Sequence, residues 1–236
     1  MTSAQTFALA YGLLGFLVIW AVLLIPQILG QQARFGRVLP RRLARTALVT
    51  LYACLTVALV LLPLPGPGGG RLGQHIQLVP FQWTADVARE SVGNPLTTLA
   101  FQQLSMNVLL FVPLGIFARV LWRRGFTGAT LLGLAGSAAI EVCQLTANFG
   151  TAPYQYRIFD VDDLMANTVG ASLGWVLAAL FLVLRAQARR ADALSGATTQ
   201  PLTTPARPAR PTVPAYAGQP AGHYAGPRAQ PWSRRR

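Results

Sequence analysis

Five stretches of this 236-residue chain are apolar enough and long enough to cross a bilayer, and this constrains the fold more than any other feature. They run over about 7–29, 46–63, 105–122, 127–147 and 163–184. A helix rising ~1.5 Å per residue needs ~20 residues to traverse a ~30 Å hydrocarbon core. Inside that core every backbone N–H and C=O must be satisfied within the chain, so runs of this length are helices. The first run has no basic stretch before it and no clear cleavage site, so it reads as a retained span rather than a leader. Only 11% of residues are charged and mean hydropathy is +0.42, where a soluble domain carries roughly 25% charged residues. The expected fold is an all-α, polytopic membrane protein with about five transmembrane helices.

The charge is unevenly distributed. The chain has 20 basic residues, all arginine, against 7 acidic ones, for a net +13. Arg34, Arg37, Arg41, Arg42 and Arg45 separate the first two spans; Arg119, Arg123 and Arg124 separate the third and fourth; nine more follow the fifth. Seventeen arginines therefore share one side, and only Arg71, Arg89 and Arg157 lie on the other. Arginine-rich connections stay cytoplasmic, which places the N-terminus outside and the C-terminus inside. With the excess explained by topology, nothing is left to argue for nucleic acid. The lipid bilayer is the first partner, and a multi-pass protein of the cell membrane is expected.

Three regions follow. Residues 1–63 hold two spans and a basic loop; residues 64–190 hold three spans and two outward-facing loops, about 64–104 and 148–162. Residues 191–236 form a tail with eight of the 17 prolines, predicted to be disordered and cytoplasmic. Its Arg234-Arg235-Arg236 end suits either solvent or anionic lipid. Leu64-Pro65-Gly66-Pro67 stops a helix, and Asn94-Pro95 starts one. Phe81, Trp83, Tyr154 and Tyr156 suit an outer aromatic belt, and Trp122 an inner one. Cys54 and Cys143 lie within spans and behave as small apolar groups; His75 sits in a loop with no companion for metal or catalysis.

Polar residues in a bilayer need a reason, and here they are ordered. Gly133, Ser137, Glu141, Gln144 and Asn148 recur at intervals of 4, 4, 3 and 4, one helical face. Asp160, Asp163, Asn167, Gly170 and Gly174 recur at 3, 4, 3 and 4, another. Gly170 and Gly174 form a GxxxG, which with Ser137 reads as helix packing. Asn107 stands six residues before Pro113 in the third span. Four of the seven carboxylates fall between positions 141 and 163, around Arg157. In the bland reading, this is a buried network locking three helices, with Arg157 stapled to Asp160 or Asp163. In the functional reading, Asn107, Gln144, Arg157, Asp160, Asp163 and Asn167 face a ligand, and Glu141, paired or neutral at that depth, acts on or holds it.

These residues resemble the VanZ-like family of bacterial integral membrane proteins. Asn107-Val-Leu-Leu-Phe111-Val-Pro113-Leu-Gly115 looks like its N-x-L-x-F-x-P-x-G helix, and Ser137-x3-Glu141-x2-Gln144 like its S-x3-E-x2-Q element. Arg157-x2-Asp160-x2-Asp163-x3-Asn167-x2-Gly170 looks like its R-x2-D-x2-D-x3-N-x2-G segment. Leu78-Val-Pro80-Phe81 is similar to its N-L-x-P-F, with Gln77 in place of Asn. The resemblance covers about 77–180. It implies no established reaction. The family takes its name from a protein associated with low-level resistance to teicoplanin-type glycopeptides, so an accessory role in such resistance is one implication.

Three functions are weighed. A binding or handling protein would seat an amphipathic envelope molecule, such as a lipid-linked cell-wall intermediate or a lipoglycopeptide, with Arg157 on an anionic group. An enzyme would use Glu141 as acid or base, with Asp160 and Asp163 available to a divalent cation; no nucleophile elbow, His triad or P-loop accompanies them. A structural or assembly protein would need neither. A transporter is possible in principle, but the sequence shows no inverted repeat or broken-helix pair, and five spans leave little room for one unless the chain oligomerises. No cofactor is called for, and a homo-oligomer is left open.

Overall fold

In the computed structural model, the described residues are 3–62, 64–65, 73, 75–91 and 93–198. They hold seven helices: α1 (Ser3–Phe35), α2 (Pro40–Leu61), α3 (Gln82–Glu90), α4 (Leu99–Val120), α5 (Phe126–Leu145), α6 (Ala147–Gly150) and α7 (Val161–Thr198). Five of them, α1, α2, α4, α5 and α7, are long and apolar enough to cross a membrane. Their outer faces carry exposed Leu, Ile, Val and Phe throughout. In water that would be costly; against lipid it is the required surface. The Gly66–Gly70 run and residues 199–236, including the C-terminal arginine triplet, lie outside the described residues. The last helix continues through Thr198, beyond the boundary expected at 191. The chain divides into Met1–Ala193, described below, and Leu194–Arg236, of which only the helical start is described.

Helix α1 and helix α2 form a hairpin. Gly12 sits where an added Cβ would lie 3.0 Å from Leu55 and 3.1 Å from Ala58, so the glycine sets that crossing. Helices α4 and α7 meet even more closely. A Cβ on Gly115 would fall 1.9 Å from the Ala171 carbonyl oxygen; on Gly170, 2.2 Å from that of Val108; on Gly174, 2.0 Å from that of Val112. The GxxxG on α7 thus receives the backbone of α4, and Gly115 returns the contact. Gly133 on α5 does the same against Ala171.

The segment between α2 and α4 is more structured than a loop. Ile76–Gln77 (β1) pairs in parallel with Phe159–Asp160 (β2), a two-residue addition to an otherwise helical fold. Helix α3 follows at once. Its leading N–H groups need acceptors, and they come from α7: the buried Asp162 carboxylate accepts from Phe81 N at 2.6 Å and Trp83 N at 3.0 Å. Phe81 adopts φ +64° to present that N–H. A turn of 3₁₀ helix, Pro95–Thr97, leads into α4, with Asn94 accepting from Leu96 N as its cap. Thr98 caps α4 itself, and Glu90 accepts from Ala100 N at 3.0 Å. The third helix therefore begins at Leu99, after the 3₁₀ turn that Asn94-Pro95 opens and ahead of the apolar run at about 105–122, as that pair implied.

Helix α5 ends at Leu145, and α6 is a single turn in which Ala147, Asn148 and Phe149 all take positive φ. Such left-handed residues other than glycine cost roughly 1–2 kcal/mol each. What they gain is the direction of Asn148. Its side chain turns back to Tyr156 Oη at 2.8 Å and toward the Leu61 carbonyl at 3.4 Å. Tyr156 also donates to Leu61 O at 2.6 Å, and Gln144 to Val60 O at 3.3 Å. The last carbonyls of α2 have no helical partner, and these three side chains supply it. Tyr156 thus clasps the end of α2.

Candidate functional site

One end of the five-helix bundle is arginine-rich. At the other end, α4, α5 and α7 present their polar faces to each other. Asn107 on α4 donates to Asp163 Oδ1 on α7. Asn167, one turn deeper on α7, donates to Ser137 Oγ on α5 at 2.8 Å. Glu141 on α5, only 1% exposed, accepts from Asp160 N at 3.0 Å. Gln144 occupies the next turn, on the α2 carbonyl. The 3- and 4-residue spacings of the two faces produce this register, because each contact occurs one turn from the last.

Asn107, Glu141, Gln144, Arg157, Asp163 and Asn167 all line one cavity of about 360 Å³, which Leu62 and Met106 close on the apolar side. The ordered polar residues therefore both bond to one another and surround a space. Two groups in that space are left over. The Asn167 side chain is 96% buried, since 4% of it is exposed, and its Oδ1 has no hydrogen-bond partner. The Arg157 guanidinium has no carboxylate within 4 Å; the ion pair found among the described residues is Arg89–Asp86, on α3. The staple of Arg157 to Asp160 or Asp163 is thus not formed. The cost of burying an acceptor without a donor is roughly 1–3 kcal/mol, so the Asn167 oxygen marks a place where a donor belongs.

Asp160 is not a wall of this cavity. Its Oδ1 accepts from Asp162 N at 2.8 Å, which makes it the N-cap of α7, and it borders a separate space of about 60 Å³ with Trp83, Asp86 and Gln103. Burial pushes its carboxyl above the ordinary value, against the opposing pull of the Asp162 N–H. The crowding of the four carboxylates between 141 and 163 has a local explanation: Asp160 caps α7, Asp162 caps α3, Asp163 accepts from Asn107, and Glu141 holds the Asp160 amide. Among the described residues no three His, Cys, Asp or Glu side chains assemble as ligands for a metal ion.

Sequence reasoning missed Asp162 as a cap, because its partners are 81 and 79 positions away. It also missed Gln103, which lines both spaces, and Tyr52, whose hydroxyl donates to Leu110 O at 3.0 Å. Pro113 offers no N–H to that part of α4, which loosens the ladder there. A second cavity, about 420 Å³ and almost wholly apolar, opens on the other side of Leu62. Tyr11, Ile19 and Val57 from the hairpin line it, with Cys143 and Phe149.

The fold and this site define a class: a polytopic helical membrane protein with a polar cavity set among its spans at one end. Within that class, the chain belongs to the VanZ/LLP1 family, whose sequence model matches residues 49–182. The matched stretch takes in most of α2, the helix that Gln144, Asn148 and Tyr156 clasp. No curated protein and no solved structure matches the chain.

Proposed function

We propose that this protein binds or handles an amphipathic molecule of the cell envelope, a lipid-linked cell-wall intermediate or a lipoglycopeptide, with its polar part in the cavity around Asn167. One observation carries the reading: Asn167, whose buried Oδ1 has no hydrogen-bond partner, lines the same cavity as Arg157, whose guanidinium has no carboxylate within 4 Å. The ligand then needs a hydroxyl or N–H at the deep end and an anionic group toward Arg157, where the planar fork favours phosphate or carboxylate. The apolar cavity across Leu62 offers its hydrocarbon part a seat. Glu141 supports the cavity wall, with one carboxylate oxygen accepting the Asp160 N–H at 3.0 Å. The positive-inside distribution turns this end outward, toward the envelope.

The test is phenotypic. Asn167→Leu and Arg157→Gln should leave the membrane level of the protein intact and change susceptibility to envelope-directed agents, teicoplanin-type glycopeptides among them. Normal level with unchanged susceptibility to every such agent would contradict the reading. In the same strains, Pro153→Cys should react with an impermeant thiol reagent on intact cells; reaction only after the membrane is opened would reverse the orientation.

A further inference from the structure

The arginine-rich end of the α1–α2 hairpin contains a cavity of about 350 Å³ that the polar site does not involve. It lies outside residues 49–182, between the last turns of α1 and the first turns of α2. Gln27, Gln31 and Arg34 line it from α1, at intervals of 4 and 3; Arg42 and Thr46 line it from α2, 4 apart. One polar stripe on each helix therefore faces the other.

Apart from Thr46 Oγ1, whose one hydrogen is already donated, its available side-chain hydrogen-bonding groups are donors. The Gln31 side chain is 93% buried, with 7% exposed, and its Oε1 accepts from Leu39 N at 2.7 Å. A backbone N–H can only donate, so the amide orientation is fixed and the NH₂ remains as a donor at the cavity wall. Gln27 Oε1 is likewise occupied, by Thr46 Oγ1 at 2.6 Å. Arg34 and Arg42 add two guanidinium groups, and Arg42 is held over the Phe35 ring at 4.5 Å. No acidic residue precedes Asp86 in the chain, and neither arginine has a carboxylate within 4 Å. A donor-lined, cationic cavity without a counter-charge is complementary to an anion with several oxygens.

The anion's source follows from depth. Helix α1 has 33 residues, longer than the ~20 that span the hydrocarbon, so its last turns reach the head-group layer. Basic pockets between transmembrane helices at that level suit lipid phosphates. We propose that the α1–α2 hairpin holds the phosphate of an anionic phospholipid between Arg34, Arg42 and the amide of Gln31.

The probe is phosphatidylglycerol, present as a minor fraction in phosphatidylcholine nanodiscs that contain the full chain. Retention of each lipid is read by native mass spectrometry after release. The wild type should retain phosphatidylglycerol in preference to phosphatidylcholine. Arg34→Gln with Arg42→Gln should lower that retention about tenfold. Arg37→Gln with Arg41→Gln removes the same charge from residues that do not line the cavity, and should change retention by less than about twofold. Gln31→Glu keeps an acceptor for the Leu39 N–H but places a negative charge on the wall; it should lower retention as strongly with every arginine in place. Equal losses from the two arginine pairs would reduce the effect to general surface charge and overturn the proposal. So would an unchanged Gln31→Glu, or displacement of the lipid by inorganic phosphate, which would indicate a site for a free anion.

Discussion

Replacing Gly174 by Leu should remove the folded protein from the membrane. The position admits no side chain: the first added carbon would lie 2.0 Å from the Val112 carbonyl oxygen and 3.1 Å from its Cα. Those neighbours are backbone atoms in the interior of α4, so no rotamer change relieves the overlap. The two helices would have to separate, and the close approach at Gly170 and Gly115 would be lost with it. Overpacking of a well-fitted core usually costs about 1–3 kcal/mol. Here three backbone contacts fail together, so the loss should exceed about 4 kcal/mol, in the range where marginal folds fail. Gly136→Ala on α5 is the control, because a Cβ there meets its nearest neighbour, Phe111, at an ordinary 3.5 Å. Membrane level and thermal unfolding in detergent should be near wild type for that variant. Equal behaviour of the two would mean that the α4–α7 crossing is not what holds the bundle together.

The second large effect is expected at Glu141. Its side chain is almost fully buried and accepts the backbone N–H of Asp160, which caps α7. Glu141→Leu would leave that N–H without an acceptor and break the tie between α5 and the start of α7. A loss of about 3 kcal/mol follows from an orphaned buried donor and a lost charge-assisted bond. Glu141→Gln retains an acceptor oxygen in the same place and should recover most of the stability. The comparison also separates two roles. A stable Glu141→Gln with altered drug susceptibility puts the carboxylate's charge to use in the cavity; a stable variant with wild-type susceptibility confines Glu141 to support. Equal destabilisation by Leu and Gln would show that the bond to Asp160 matters little.

The legible parts of this chain are those that the bilayer enforces. Five spans could be read because a hydrocarbon core needs helices of a set length. The two polar faces could be read because intramembrane polar residues must converge, and Asn107, Asp163, Asn167, Ser137 and Glu141 do so. The GxxxG on α7 met a close-packed backbone, as small residues at that spacing imply. The illegible parts depend on partners far along the chain. Helix α3 is nine residues long, and its cap is supplied from α7. The carboxylates between 141 and 163 looked like one acidic cluster, but each has a separate task once the helix ends are located. Three consecutive left-handed residues at 147–149 have no glycine among them to announce them. Spacing could place Asn167 at the site but could not show that one of its two polar atoms is unpaired.

The most direct test of the central claim is to identify what the cavity holds. The full chain would be purified from its native membrane in mild detergent, and bound small molecules would be measured by native mass spectrometry. Wild-type protein should carry an amphipathic species that bears both an anionic group and a hydroxyl or N–H donor. Asn167→Leu with Arg157→Gln should lose that species with helicity unchanged, while Arg34→Gln with Arg42→Gln retains it. A species held equally by all three proteins, or none held by folded wild type, would contradict the account.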